Sequence, residues 1–225
     1  MKRHANTEKV LNLLFPKRCP WCDKVLGFAQ GCACEEQVRK LRLPDEALDL
    51  GGKPGCTGAL QSAWACFCYE EPVSTAYHRL KFEDEPHLAE DMGQAMADKY
   101  AVCGLAGRYD CILPVPVSRA TLRERGYNQS ALLGRKVAKE VGLLCEESLL
   151  LKVRETEKQM DLGREERLLN VKGAYEVSKT EAAKGKRFLL IDDIITTGST
   201  LNECAKTLKE AGADDCGALA LMAVV

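Results

Sequence analysis

The stretch Phe188-Leu189-Leu190-Ile191-Asp192-Asp193-Ile194-Ile195-Thr196-Thr197-Gly198-Ser199-Thr200-Leu201 changes character twice in a short span. The apolar run Phe188 to Ile191 predicts a buried strand. Two carboxylates emerge at its C-terminal end, where ligands bind in open α/β sheets. Small hydroxyl residues then surround one glycine, and a helix is predicted over residues 199–211, closed by Gly212. Backbone N–H groups in such a turn can surround a phosphate. The helix N-terminus adds a partial positive charge of about half a unit. Gly198 lets the backbone approach closely, and Thr196, Thr197, Ser199 and Thr200 can donate hydroxyl hydrogen bonds. Asp192 and Asp193 repel a phosphate but can accept from two neighbouring sugar hydroxyls. An anion-binding loop beside two carboxylates therefore suits a ribose 5-phosphate. A Thr or Ser N-cap alone explains the hydroxyl residues, but it leaves the acidic pair unexplained. The Walker loop is excluded because no Gly-Lys-[Ser/Thr] is present, and a single glycine excludes the dinucleotide fingerprint.

Outward from this stretch, strands alternate with helices. Strands are predicted at 63–69, 111–113, 149–153 and 217–225, and helices at 72–81, 86–102 and 129–141. This alternation implies an α/β domain, a mainly parallel sheet covered by helices on both faces. Upstream, a short helix is predicted at 7–15 and a charged one at 35–43, ended by Pro44. Gly51-Gly52-Lys53-Pro54-Gly55 reads as a linker between a cysteine-rich segment, residues 1–50, and the α/β domain, residues 59–225.

Ile191 to Thr200 closely resembles the ribose-phosphate motif of type I phosphoribosyltransferases. That resemblance assigns Asp192 and Asp193 to the ribose hydroxyls and Thr196, Thr197, Gly198, Ser199 and Thr200 to the 5-phosphate. Leu113-Pro114-Val115-Pro116-Val117-Ser118, then Arg123-Glu124-Arg125-Gly126-Tyr127-Asn128-Gln129-Ser130, then Arg154, Gln159, Arg167 and Asn170, are similar to the ComF family. These are phosphoribosyltransferase-like proteins linked to DNA uptake in naturally competent bacteria. The resemblance runs from about residue 17 to the C-terminal end. It implies binding of phosphoribosyl pyrophosphate with Mg²⁺, a pyrophosphate-facing loop from Val115 to Ser118, and a closing loop over residues 154–172.

The chemistry of these residues taken alone is less specific. Arg123 and Arg125 offer two guanidinium forks suited to phosphate oxygens, or they form a solvated basic turn. Arg154, Lys158, Arg164 and Arg167 can reach a pyrophosphate or a nucleic-acid backbone, or can pair with Glu155, Glu157, Glu165 and Glu166 on a solvated face. His78 in the segment His78-Arg79-Leu80-Lys81-Phe82 is expected to be structural. An active enzyme would displace pyrophosphate at the ribose C1 with a nitrogen nucleophile. Arg123, Arg125, Arg154 and Arg167 are its catalytic candidates, and no general base is legible. A ligand sensor built on the same pocket is the non-enzymatic reading.

Seven of the twelve cysteines fall within the first 68 residues. Cys19-Pro20-Trp21-Cys22 and Cys32-Ala33-Cys34 place four thiols within 16 residues, compatible with a closed, structural tetrahedral zinc site. The ComF resemblance implies a zinc ribbon with two Cys-x₂-Cys pairs, from which the Cys-x-Cys here departs. One of Cys56, Cys66 or Cys68 can replace Cys32 or Cys34 as a ligand, and a metal-free cluster of buried thiols is the alternative.

The chain of 225 residues has a formal net charge of −1, which excludes a general polycation. Residues 1–43 carry nine Lys or Arg against four Asp or Glu. With Phe15 and Trp21 this forms a candidate track for single-stranded DNA, or merely a soluble surface. A DNA-uptake protein is the other partner the resemblance implies. No apolar run spans a bilayer and no secretory leader is visible, so a cytoplasmic location without membrane insertion is expected.

Overall fold

The computed structural model describes residues 16–26, 31–49, 58–156 and 169–224. The predicted helix at 7–15, the Gly51 to Gly55 linker, Cys56, Lys158, Arg164 and Arg167 lie outside the described residues. The described elements are α1 (Glu35–Lys40), β1 (Ser62–Cys68), α2 (Val73–Phe82), α3 (Leu88–Val102), β2 (Cys111–Pro114), α4 (Arg119–Arg125), α5 (Gln129–Val141), β3 (Leu144–Cys145), β4 (Leu150–Lys152), β5 (Tyr175–Val177), α6 (Thr180–Ala183), β6 (Arg187–Ile195), α7 (Ser199–Glu210) and β7 (Asp215–Ala223).

Five strands form one parallel sheet in the order β1-β7-β6-β2-β3. The strand with the acidic pair lies at its centre, so the C-terminal ends of β2, β6 and β7 open onto one edge. Strand residues alternate between two cores. Trp64, Ile112, Leu189, Ile191, Leu219 and Leu221 pack with α2, α3 and α5. Ala63, Ala65, Leu113, Phe188, Leu190 and Ala218 pack with α7 and the β4–β5 ribbon. Near-continuous burial along β6 and β7 is expected of parallel strands covered on both faces.

The helix expected at 35–43 ends at Lys40, because Arg42 bridges Phe67 of β1; β3, β5 and α6 have no counterpart in the sequence expectation, and three further elements depart from it. β6 runs on to Ile195, because β7 accompanies it with Asp192 opposite Ala220 and Ile195 opposite Ala223. The acidic pair therefore belongs to the strand rather than following it. The strand expected at 149–153 leaves the main sheet and pairs antiparallel with β5. Its alternating burial, Leu150 buried and Leu151 exposed, suits a ribbon with one wet face. α4 occupies what reads as a basic turn. Ser118 caps it by accepting from the Thr121 N–H at 3.1 Å, and Gly126 ends it at φ 81°, a left-handed position.

The cysteine-rich segment leans on the sheet. Residues 41–43 run antiparallel to β1 and cover its free edge, with Leu43 N–H donating to the Cys66 carbonyl and Cys68 N–H to the Leu41 carbonyl. Cys19, Cys34 and Val38 belong to the same buried cluster as Phe67, Val73 and Leu80. The buried Lys99 ammonium on α3 donates to the carbonyls of Leu43 and Pro44 and to Asp45.

Candidate ribose-phosphate site and cysteine knuckle

The parallel register brings two loops together at the sheet edge. Pro114 pairs with Ile191, and Val115 N–H donates to the Ile191 carbonyl at 2.9 Å. The loop after β2 thus starts beside the acidic pair. After β6, Thr196, Thr197 and Gly198 turn the chain into α7. Gly198 stands at φ 76° as the helix N-cap, and its carbonyl accepts from Asn202 N–H. A residue with a β-branched side chain would be strained there. Thr197 and Ser199 are buried with their hydroxyl oxygens 2.5 Å apart, and Thr200 bonds the Tyr175 hydroxyl. The turn thus gathers hydroxyls and the first N–H groups of a twelve-residue helix at one point.

The two carboxylates are held differently. Asp192 is partly exposed. Its Oδ1 accepts from the Ser130 hydroxyl at 3.1 Å and from the Asp193 N–H at 2.9 Å. Burial, with the Asp193 charge next, pushes the Asp192 carboxyl well above the usual range, while the Lys81 charge opposes this. Asp193 is buried. Its Oδ2 accepts from the Tyr77 hydroxyl and the Gln129 amide, both at 2.7 Å. Burial, then the Asp193 charge, keeps the Tyr77 phenol protonated far above its ordinary range.

The segment Arg125 to Ser130 organises this edge. Arg125 donates to Gln129 Oε1 at 2.5 Å and lies over the Phe82 ring. Tyr127 donates to the Leu80 carbonyl, fixing α2. Asn128 donates to the Val115 carbonyl at 3.0 Å, and its side-chain oxygen accepts from Ser130 N–H to cap α5. Gln129 and Ser130, in the first turn of α5, then reach Asp193 and Asp192 respectively.

Beside α2, residues 17–26 fold back on themselves, with Cys19 N–H donating to the Lys24 carbonyl and Leu26 N–H to the Lys17 carbonyl. Cys32 and Cys34 lead directly into α1. The sulfurs of Cys19, Cys22, Cys32 and Cys34 all lie within 4.8 Å of one another and could hold a metal ion. Cys66 and Cys68 stand in β1 and are not among them. Arg79 of α2 is buried and donates to Asp23, to the Pro20 carbonyl and, in two bonds, to Glu85. One helix thus touches the knuckle through Arg79 and the acidic pair through Tyr77.

Residues 128–224 match the phosphoribosyl transferase domain family. Competence protein F of Haemophilus influenzae is 32% identical over 155 residues, 65% of this chain and 66% of that protein. Competence protein ComFC of Bacillus subtilis is 25% identical over 195 residues, covering 86% of this chain and 72% of its own length. Over these stretches the chain is similar to the ComF proteins. The match spans just under two thirds of the length of the Haemophilus protein. Among solved structures, a glutamine phosphoribosylpyrophosphate amidotransferase from B. subtilis, complexed with ADP and GMP, is similar with a TM-score of 0.39. It is 22% identical, covering 58% of this chain and 25% of that one.

The arginines expected at the pyrophosphate have separate surroundings. Arg123 is exposed on α4, and Arg125 is engaged with Gln129. Arg154 clips the base of the 154–172 segment by donating to the carbonyls of Asn170 and Lys172 at 2.7 and 2.8 Å. Val115 and Ser118 use their own polar groups on the Ile191 carbonyl, Asn128 and Thr121. Trp21 packs edge-on against Phe67 at 5.3 Å. His78 is bonded to the Tyr69 hydroxyl at 2.9 Å. Tyr77, Lys81, Gln129 and Ser130 had no role assigned from sequence. The fused string Gly126-Tyr127-Asn128-Gln129-Ser130 was the available signal for the last two. Between the loop after β2, α4 and the β4 ribbon lies a cleft of about 690 Å³, lined in part by Val117, Leu122, Tyr127, Leu151 and Val153. Among the described residues no helix is long and apolar enough to cross a membrane.

Proposed function

We propose that this protein binds phosphoribosyl pyrophosphate, or another ribose 5-phosphate, with Mg²⁺ at the edge formed by β6 and the start of α7. The observation that carries the reading is the acidic pair set directly before a hydroxyl-rich turn with a left-handed glycine at a helix N-terminus. The turn supplies N–H and hydroxyl donors to the 5-phosphate, and the acidic edge supplies acceptors to the ribose hydroxyls. Mg²⁺, when bound, would neutralise pyrophosphate oxygens. Val115 to Ser118 begins beside the acidic pair and is the segment we assign to face them. The names of the relatives support a part in DNA uptake, with single-stranded DNA or a DNA-uptake protein as partner.

The cysteine knuckle fits a structural zinc ion. Four thiols and no carboxylate form a soft donor set. A tetrahedral site with Zn–S near 2.3 Å needs sulfur separations of about 3.8 Å; here Cys22–Cys32 and Cys19–Cys34 stand at 3.2 and 3.4 Å and all four sulfurs lie within 4.8 Å of one another. Four protein ligands would leave no position for substrate.

The cleft beside Asn128 favours a second reading, an active transferase that admits an acceptor next to the ribose and displaces pyrophosphate with a nitrogen nucleophile. Two measurements separate the readings. A melting-temperature rise with phosphoribosyl pyrophosphate that requires Mg²⁺ supports binding, and no rise at millimolar ligand rejects it. Incubation with labelled phosphoribosyl pyrophosphate and cell-extract small molecules then tells transferase from sensor, by release of labelled pyrophosphate or its absence.

A further inference from the structure

We infer that Tyr77 and Gln129 are positioning residues that withdraw Asp193 from the ligand, so that Asp192 alone meets the ribose hydroxyls. This rests on the ribose-phosphate reading above and assigns unequal roles to the two acidic residues.

The argument starts from where the donors converge. The Tyr77 hydroxyl, from α2, and the Gln129 amide, from α5, both reach one oxygen of Asp193, Oδ2, at 2.7 Å. Arg125 donates to the other end of the same amide, so the amide nitrogen must point at the carboxylate. The three donors form a directed chain: Arg125 to Gln129, and Gln129 with Tyr77 to Asp193. Charge-assisted bonds of this kind are short and strong, and a buried carboxylate that lost them would remain without partners. Asp193 is only 7% exposed. Its backbone N–H, in turn, donates to Asp192 Oδ1, which also accepts from Ser130. Asp193 thus serves as the fixed back of the site, and Asp192 as its partly exposed front. The packing supports this division. Arg125, the last residue of α4, lies over Phe82 at 5.6 Å and Tyr127 donates to the Leu80 carbonyl, so the segment leading into α5 is held against α2 beside the chain of donors.

The assignment makes an asymmetric prediction. Both donors converge on one acceptor oxygen, so an asparagine carbonyl at position 193 can accept from both. Asp193→Asn should therefore keep affinity for phosphoribosyl pyrophosphate with Mg²⁺ within about threefold, while Asp193→Ala should lose it by about tenfold or more. Asp192→Asn turns an acceptor into a donor toward the sugar and should cost at least tenfold. Tyr77→Phe removes only a hydroxyl and should weaken binding about tenfold, and Gln129→Glu, which has no proton to donate, should do the same. Calorimetric titration of the full chain, with each melting temperature checked, measures all five. Recovery of binding on going from Asp193→Ala to Asp193→Asn, with equal melting temperatures in the two variants, is the readout that neither a merely structural role nor direct contact of the Asp193 charge with the sugar would produce. Asp193→Asn as damaging as Asp192→Asn, or Tyr77→Phe and Gln129→Glu binding like the unaltered chain, would overturn the inference and leave the ribose-phosphate site intact. No binding by the unaltered chain would overturn the ribose-phosphate reading and this inference with it.

Discussion

The β6–α7 turn and the cysteine knuckle both aim several polar atoms at one point, by opposite means. The turn uses consecutive residues on the central strand of a parallel sheet, held by β2 and β7 on either side. Its precision comes from the sheet, so it needs no partner to keep its shape. The knuckle draws its sulfurs from two separate segments, whose only regular structure among the described residues is the six-residue α1. It borrows its core from the sheet through Cys19, Cys34, Val38 and the Trp21–Phe67 contact. A preorganised site should survive loss of its ligand, whereas a site of this second kind should not survive loss of its metal.

The largest expected effect breaks the knuckle. Cys34→Ser should reduce bound zinc from about one per chain to near none, with destabilisation on the order of several kcal/mol, measured by metal analysis and guanidinium unfolding. The shape of that unfolding also bears on the division into residues 1–50 and 59–225. An early, separate transition supports two units, and a single coincident one supports a common core.

A smaller change targets the link between the regions. Arg79 is 8% exposed and ties Glu85, Asp23 and the Pro20 carbonyl to α2. Arg79→Met should destabilise by about 1–3 kcal/mol, since Glu85 loses both guanidinium bonds while Asp23 keeps only its pairing with Arg18. Hydrogen exchange should quicken around residues 17–26 more than along β6. Equal quickening in both would contradict the contrast drawn above.

In the turn, Gly198→Val places a β-branched residue at φ 76°. It should abolish phosphate binding while lowering stability by only about 1–2 kcal/mol. The smallest effect lies at the sheet's opposite end. The Arg187 guanidinium and N–H hold the Asp110 carboxyl down to about 2. Its contribution is complete above the unfolded carboxylate value near 4 and is lost as pH falls toward 2. Asp110→Asn should cost less than about 1 kcal/mol at neutral pH, since the pair is partly solvated. It should also flatten acid unfolding between those pH values.

The same contrast explains what was legible in the sequence. The strand, acidic pair, turn and helix of the β6–α7 edge are contiguous, and local periodicity and turn chemistry suffice to find them. Both cysteine pairs were legible by spacing, but choosing Cys32 and Cys34 over Cys66 and Cys68 required knowing that β1 holds the latter two in the sheet. α4 was hidden because charged residues fill it, although Ser118 and Gly126 mark its ends. The departure of β4 from the main sheet depends on its pairing with β5, more than twenty residues on. Tyr77 was invisible for a similar reason. Its partner, Asp193, lies 116 residues away, and only the packing of α2 against the sheet joins them.

The central claim is that the end of β6 holds a ribose 5-phosphate. Its most direct test is calorimetric titration of phosphoribosyl pyrophosphate with Mg²⁺ into the unaltered chain and into the double variant Asp192→Asn, Asp193→Asn. The account predicts saturable binding by the first and about tenfold or greater weakening in the second, nearly all of it from Asp192→Asn, with little change in melting temperature. Equal affinity in both would contradict it.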